Sequence, residues 1–497
     1  MTTTGSAAAP TAEASRRWLM LVLLLLGQFM GLVDVFIVNV AMPSIGTRFH
    51  SSGASLQLVV GGYIVAYAML LITGARLGDL YGRRRMYLLG VVVFTLMSAA
   101  CALAPNVATL VVFRFAQGAG AAIMVPQIMS VIQMQFTGKA RAQALSAYGA
   151  VLATGAVAGL ILGGVIVNAD LFDTGWRPVF MINVPIGAVL IALVPRLLPQ
   201  DAPTGRRRLD LFGLAVAVPA VFLMVLPAVQ GRELGWPAWT YACIAAGAVL
   251  AVVFVQFERR MAARGGDPLL NFSVLRASGM SVGMMTLVCV QLTYGGFLFV
   301  FTLHLQAGLG QSALRAGLTY VPMSITFGLT GFYWRKLPER LHPVLAPSGL
   351  ALSALSYALI GIAMHSGTSG GALMWVGTML NGVGMGLSVS PLLTQSLVNV
   401  PMAQAADASG LLTTVVQLGQ VAGITIFGAI YLTLFSRVGS DTHAHIAGSA
   451  MSTTAVWISA VAALGVIPGV VLARTVLQAR RPRPPQPAAV AAQSVSD

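Results

Sequence analysis

The sequence predicts an all-α membrane protein of fourteen crossing helices, arranged as two sets of six with two more inserted between them. Three observations carry this expectation. Of the 497 residues, 57% are hydrophobic and only 9% are charged, whereas soluble domains carry about a quarter charged residues. The charges fall in clusters separated by apolar stretches, each long enough to cross a bilayer as a helix, the form that satisfies every backbone polar group internally. Lys and Arg alternate between crowded and nearly empty connections, as the positive-inside rule requires. This composition excludes a cytosolic enzyme, a secreted disulfide scaffold and a disordered chain.

The elements follow in order. A polar tail, 1–17, ends in Arg16-Arg17 and leads into the first apolar stretch, 18–41. Ser15 to Leu19 superficially matches a twin-arginine export signal, but the apolar run is too long for one and thirteen more follow it. Stretches at 56–75, 86–104, 107–130, 143–168 and 178–195 complete a first six-helix set, 18–198. The segment 199–265 opens with a polar linker and carries two further stretches, 210–230 and 238–257. A second set, 266–474, holds 279–303, 315–334, 343–364, 371–390, 408–434 and 450–473. The Arg/Pro/Ala-rich end, 475–497, is expected to be a disordered tail.

An even number of crossings puts both termini on one face. With the N-terminus inside, inner connections hold 23 of the 29 Lys and Arg residues, and outer ones hold five: Arg48, Arg177, Arg232, Arg315 and Arg437. Arg114 alone lies in the interior of a stretch. Both termini are therefore expected in the cytoplasm, and the net charge of +15 needs no nucleic acid to explain it. Cys101, Cys243 and Cys289 sit in apolar runs without CxxC spacing or metal-ligand neighbours; they read as buried thiols, and no metal site is expected.

Among the fourteen acidic residues, Asp407 lies at the mouth of the thirteenth stretch and only Asp34 lies deep in one. A charge at the bilayer centre costs about 2.5–3.5 kcal/mol on insertion scales, so it is paired, water-facing or protonated. An aspartate whose distance to an arginine changes between two conformations can take up a proton in one and release it in the other. Asp34 with Arg114 has that composition; the alternative is a fixed salt bridge between the first and fourth crossings. His304, near the end of the ninth, can titrate or meet a substrate, or simply hydrogen-bond backbone.

Several motifs accompany these charges. Between the second and third crossings lies Ala75-Arg76-Leu77-Gly78-Asp79-Leu80-Tyr81-Gly82-Arg83-Arg84-Arg85, a tight loop that turns at Gly82 and sets Asp79 among arginines. Leu32 to Pro43 reads LVDVFIVNVAMP, Arg114 to Gly120 reads RFAQGAG, and Gly155 to Gly164 reads GAVAGLILGG. Small residues at every fourth position let helices approach closely. Trp176, Arg177, Phe180, Asn183, Pro185 and Gly187 follow at the sixth crossing. Leu305-Gln306, Ala316-Gly317, Pro322, the Gly382–Gly386 run and the Gln417–Gly423 run follow in the second set.

Together these motifs resemble those of the major facilitator superfamily, in particular its fourteen-span drug:proton antiporters, over nearly the whole chain from Trp18 to Leu472. Ala75 stands where the loop motif has Gly, Leu160 where the antiporter motif has Pro, and His304 where Tyr is usual. The resemblance implies two six-helix bundles that rock about a midplane cavity. It implies proton coupling by Asp34 and Arg114, and a conformational latch at Asp79, Gly82, Arg83 and Arg84. It also implies an antiporter helix packed through Gly155, Gly159, Gly163 and Gly164. Candidate cavity residues are Asn39, Tyr63, Tyr67, Met124, Gln127, Gln291, Tyr294, Phe297, His304, Asn381 and Gln417, each of which ordinary helix packing would equally explain. The expected partners are protons, lipid and a small hydrophobic substrate, handled by a monomer in a bacterial inner membrane, with the proton motive force in place of any cofactor. Proton-linked uptake of a metabolite is the alternative. An embedded enzyme would need clustered His, Asp or Glu, and a sensor would leave Asp34 and Arg114 without a purpose.

Overall fold

The computed structural model describes residues 9–51, 53–169, 174–200, 210–231, 235, 237–266, 268, 272–397, 400, 404–435 and 443–479. Among them no strand occurs. Of the tail expected to be disordered, 475–497, residues 475–479 are helical and the rest lies outside the described residues, as does most of the 199–208 linker.

Helices α1 (Ala9–Phe49), α2 (Gly53–Tyr81), α3 (Arg83–Ala102), α4 (Val107–Gln135) and α5 (Gly138–Ala169) follow one another with short breaks. A short α6 (Pro178–Met181) leads into α7 (Asn183–Leu197), and α8 (Leu211–Gln230) and α9 (Ala238–Ala263) form a hairpin. Then come α10 (Met280–Leu303), α11 (Ala313–Thr319), α12 (Val321–Tyr333), α13 (His342–Met364), α14 (Gly371–Leu397), α15 (Ala405–Phe435) and α16 (His443–Ala479). α1 overruns its predicted stretch at both ends. A gap between charges marks only what lipid tolerates, while the alanines of the N-terminal flank, 9–17, go on favouring helix. The breaks have local causes. Gly82 turns the chain at φ 93°, a left-handed conformation costly for other residues. The Asn106 side chain accepts from the Thr109 N–H at 2.9 Å to start α4, and Asp210 accepts from the Gly213 N–H at 2.8 Å to start α8.

Ten helices among the described residues are long and apolar enough to cross a membrane. The number is eleven if the two arms of α2, Leu58–Leu71 and Thr73–Tyr81, bent by 50°, count as one crossing. The expected fourteen is not reached by this measure. The stretches 143–168, 210–230 and 315–334 are helical, as α5, α8 and α11–α12, but fall outside that set. The apolar part of α8, Phe212–Pro227, is short. The α11–α12 stretch is broken at Tyr320, just ahead of Pro322, whose ring has no N–H to continue the ladder.

Packing repeats along the chain. α2 and α3 lie along α4, α1 lies along α5, and both α1 and α3 meet α7. In the same order α12 and α13 lie along α14, α10 lies along α15, and both α10 and α13 meet α16. α5 faces α11 and α12 across the two sets, and α15 faces α2 and α4. The α8–α9 hairpin, pinned by the Phe212 and Phe257 rings 4.6 Å apart, inserts Val221, Phe222, Val225 and Leu226 of α8. These meet Ile64, Val65 and Ala68 of α2 and Leu418 and Val421 of α15.

Candidate functional site

Asp34 and Arg114 meet. The Arg114 guanidinium donates through Nη1 to Asp34 Oδ2, and both side chains are 0% exposed. The pair does not stand alone. Gln117 Nε2 donates to Asp34 Oδ1 at 2.9 Å and Asn183 Nδ2 donates to the same oxygen at 2.8 Å. Arg114 Nη1 also donates to Gln117 Oε1 at 2.8 Å, and Arg114 Nε donates to the Val59 carbonyl at 3.1 Å. The Asn183 amide lies 3.0 Å from Ser98 Oγ, which donates to the Phe180 carbonyl at 2.8 Å. The guanidinium carbon lies 4.5 Å from the centre of the Tyr63 ring and 5.7 Å from that of Phe180.

The local sequence accounts for part of this arrangement. Arg114 and Gln117 are three residues apart and share one face of α4. Val59 and Tyr63 are four apart and share one face of α2. Asn183 opens α7 and reaches Asp34 across the bundle. Such a pair loses its hydration on burial, and its mutual attraction offsets that loss only when the remaining donors and acceptors are also met. The two amides and the Val59 carbonyl meet most of them here; Arg114 Nη2 and Asn183 Oδ1 are buried without a hydrogen-bond partner among the described residues.

Beside the ion pair lies a cavity of about 60 Å³, lined from one set by Gln28, Gly31, Val35, Tyr63, Tyr67 and Val125 and from α15 by Gln420, Val421 and Ile424, among others. Its lining contains no charged residue. Gln28 Oε1 and the Tyr67 hydroxyl are buried there without a hydrogen-bond partner among the described residues. Sites for drug-sized molecules measure about 300–1,000 Å³, so this shape holds a few waters and no bulky compound. On the α5 side the two sets touch at both ends. Trp334 Nε1 donates to Ser146 Oγ at 3.3 Å and Arg335 Nη1 to the Lys139 carbonyl at 2.7 Å. At the other end a side chain added at Gly164 would come within 3.0 Å of the Leu314 backbone nitrogen.

The remaining sequence-predicted residues are placed as follows. Of the eleven candidate cavity residues, Tyr63 and Tyr67 line this cavity. Met124 sits between α1, α3 and α4, against Gly27 and Gly90. Gln127 donates to the Gly74 carbonyl at 2.7 Å between α4 and α2. Gln291 is buried against Gly419 of α15. Tyr294 donates across the two sets to the Leu152 carbonyl at 3.3 Å. Phe297 stacks on Phe301 at 5.1 Å. Asn381 donates to Ser356 Oγ at 2.8 Å, between α14 and α13. His304 opens a π-helical turn, His304–Gly308, with Nδ1 3.3 Å from the Tyr431 hydroxyl. The side chains of Asn39 and Gln417 lie outside the described residues.

The expected loop is helical except at Gly82: Asp79 of α2 pairs with Arg83 of α3 at 2.6 Å and with Arg76 at 3.7 Å, and Arg84 Nη1 donates to the Leu198 carbonyl at 3.1 Å, tying the start of α3 to the end of α7. Gly155, Gly159 and Gly163 face Leu32, Val33 and Ile37 of α1, while Gly164 faces α11. Among the described residues no group of three or more His, Cys, Asp and Glu side chains could hold a metal ion.

Two sets of membrane helices, packed in repeated order about a small cavity lined from both sets, have the architecture of a secondary transporter. The chain belongs to the Major Facilitator Superfamily, whose model matches residues 24–424; it is a multi-pass membrane transporter and not an enzyme. The probable actinorhodin transporter of Streptomyces coelicolor is 38% identical over 449 residues, which cover 89% of this chain and 76% of that protein. The cephamycin export protein CmcT of Amycolatopsis lactamdurans is 33% identical, over 91% of this chain and 93% of its own length. Among solved structures, a bacterial homologue of the human lysosomal transporter Spinster, inward-facing and occupied, matches 94% of this chain and 99% of its own with a TM-score of 0.59. At 17% identity, that likeness concerns the fold.

Proposed function

We propose that the protein is a proton-driven exporter of bulky, mostly uncharged apolar compounds, acting as a monomer across a bacterial inner membrane with both termini in the cytoplasm. The observation that carries this reading is the fully buried Asp34–Arg114 pair, set directly behind the wall of an uncharged cavity. Export as the direction of transport is supported by the relatives named for the transport or export of antibiotics.

The moving parts are two six-helix bundles, 18–198 and 266–474, with the 199–265 hairpin between them. The repeated packing order supports that division. Counting α5, α8 and the broken α11–α12 as crossings alongside the eleven others makes fourteen. A proton entering from outside neutralises Asp34 and releases Arg114, favouring the inward-facing state. Its loss inside restores the pair. Asp79, Gly82, Arg83 and Arg84 latch helix ends in one of the two states. One charge across 100 mV is worth about 2.3 kcal/mol and one pH unit about 1.4 kcal/mol more. One proton therefore sustains at most roughly a five-hundredfold gradient of a neutral compound.

The test is a growth-inhibition panel in a susceptible host. Expression should raise tolerance to several uncharged antibiotics, chloramphenicol among them, and a protonophore or Asp34→Asn should abolish the gain. Tolerance that survives both treatments would sink the proton-driven reading.

A further inference from the structure

Tyr63 belongs to two places at once. One side of its ring lines the cavity, where it stacks on Tyr67 with centroids 6.1 Å apart and planes 15° apart. The ring also carries the Arg114 guanidinium, 4.5 Å from its centre. One turn earlier on the same helix, the Val59 carbonyl accepts from Arg114 Nε at 3.1 Å. α2 therefore grips Arg114 twice, while α1 grips it through Asp34. Gly118 of α4 abuts the Tyr63 carbonyl so closely that a side chain there would collide, so close packing opposes a shift of α2 toward α4 and leaves the ring's contact with the guanidinium as the softer path for a push from the cavity.

We propose that Tyr63 is the positioning residue through which occupancy of the cavity sets the proton affinity of Asp34. This rests on the reading that Asp34 carries the transported proton. An occupant that presses the Tyr63 ring against Arg114 drives the guanidinium onto the carboxyl group. The O–H bond of the acid breaks, its proton passes to water, and the carboxylate that remains is matched by Arg114. By thermodynamic reciprocity a proton on Asp34 weakens the occupant's hold to the same degree, which is the exchange an antiporter requires. The groups facing Asp34 leave this route open. Among the described residues the charged group that meets it is Arg114 of α4; Gln117 of α4 and Asn183 of α7 are neutral amides, and Ser98 and Cys101 of α3 stand behind those amides.

The experiment is an infrared titration of the full chain in lipid nanodiscs, following the carboxylic-acid band that Asp34→Asn removes. Tyr63→Phe keeps the π face and should leave the midpoint unchanged. Tyr63→Met, which removes that face at similar volume, should raise it by roughly half a pH unit. Fluorinated phenylalanines placed at position 63 empty the π face without changing its shape, and should move the midpoint upward in step with fluorine number. Phe301→Met, which removes a buried ring of α10 that is not part of the cavity lining, serves as the control and should leave the midpoint in place. A midpoint indifferent to the fluorine series overturns the role given to Tyr63 while leaving Asp34 as proton carrier. Wild-type protein with no titrating band at all removes the proton reading beneath it.

Discussion

Asp34 is held by three donors from two other helices, and each sets a different term in its chemistry. Arg114 supplies charge, whereas Gln117 and Asn183 supply direction. Replacing Asn183 with Leu deletes one donor to a charged group, worth about 1.5–3 kcal/mol. Asn183→Leu should therefore raise the pH at which the Asp34 acid band appears by about one to two units. The sign follows from the loss of a group that binds only the ionised form better. Arg114→Lys keeps the charge but loses the planar fork that meets Asp34, Gln117, Val59 and the Tyr63 face together. Drug-induced proton release in proteoliposomes should fall by tenfold or more, a loss of about 1.4 kcal/mol sufficing. An unchanged rate would show that the position needs only a cation. Gln28 offers a buried carbonyl oxygen without a partner to the cavity, so Gln28→Leu should weaken binding of hydroxyl-bearing compounds more than of their methyl ethers.

Helix α5 shows how one element serves two purposes through different faces. Gly155, Gly159 and Gly163 turn toward α1 within the first set, and Gly164 turns toward α11 across the divide. A side chain at Gly159 would lie 2.8 Å from the Val33 carbonyl and 3.0 Å from Phe36 Cβ. Overpacking of this kind costs about 1–3 kcal/mol, so Gly159→Val should lower the unfolding temperature measured in detergent. Gly164→Val instead crowds Leu314 at 3.0 Å, a contact between sets that parts if the two sets rock as proposed. It should depress export at nearly unchanged thermal stability. Equal thermal losses in the two variants would show that both glycines serve only packing. The spacing of these small residues was legible in the sequence. Their division between two partners was not, because a helix face acquires its neighbour only when the other helices are in place.

The two sets are joined on the α5 side at both ends, and the cavity between them is far smaller than a drug. Any bulky substrate therefore requires the contacts at Ser146–Trp334 or at Gly164–Leu314 to open in turn. A short thiol-specific cross-linker joining cysteines placed at Ser146 and Trp334 should stop transport, and reduction should restore it. Transport at full rate in the cross-linked protein would exclude rocking about this seam. The hairpin adds a third body: α8 touches both sets through the same α2 and α15 segments that wall the cavity, and so covers their seam in this state.

Hydrophobic stretches, their basic flanks and the motifs around Asp34, Asp79, Arg114 and Gly155 were enough to establish a helical membrane transporter of this superfamily, since lipid penalises every misplaced charge and so writes the crossings directly into composition. The same rule overstated what can be measured helix by helix, because a proline at 322 or a shortened α8 interrupts a stretch without placing a charge in it. It singled out Asp34 and Arg114 for that reason too, yet was silent on their setting. Asn183 lies 149 residues from Asp34 and carries no charge to betray it. The Val59 partner is a backbone carbonyl, which any residue possesses. Met124, Gln127 and Asn381, plausible cavity residues by type, face neighbouring helices instead. Which polar groups converge on the carboxylate, and which ring stands between it and the cavity, is decided by the rotation of each helix about its axis. That rotation is set by packing among all of them at once, and only the folded bundle contains it.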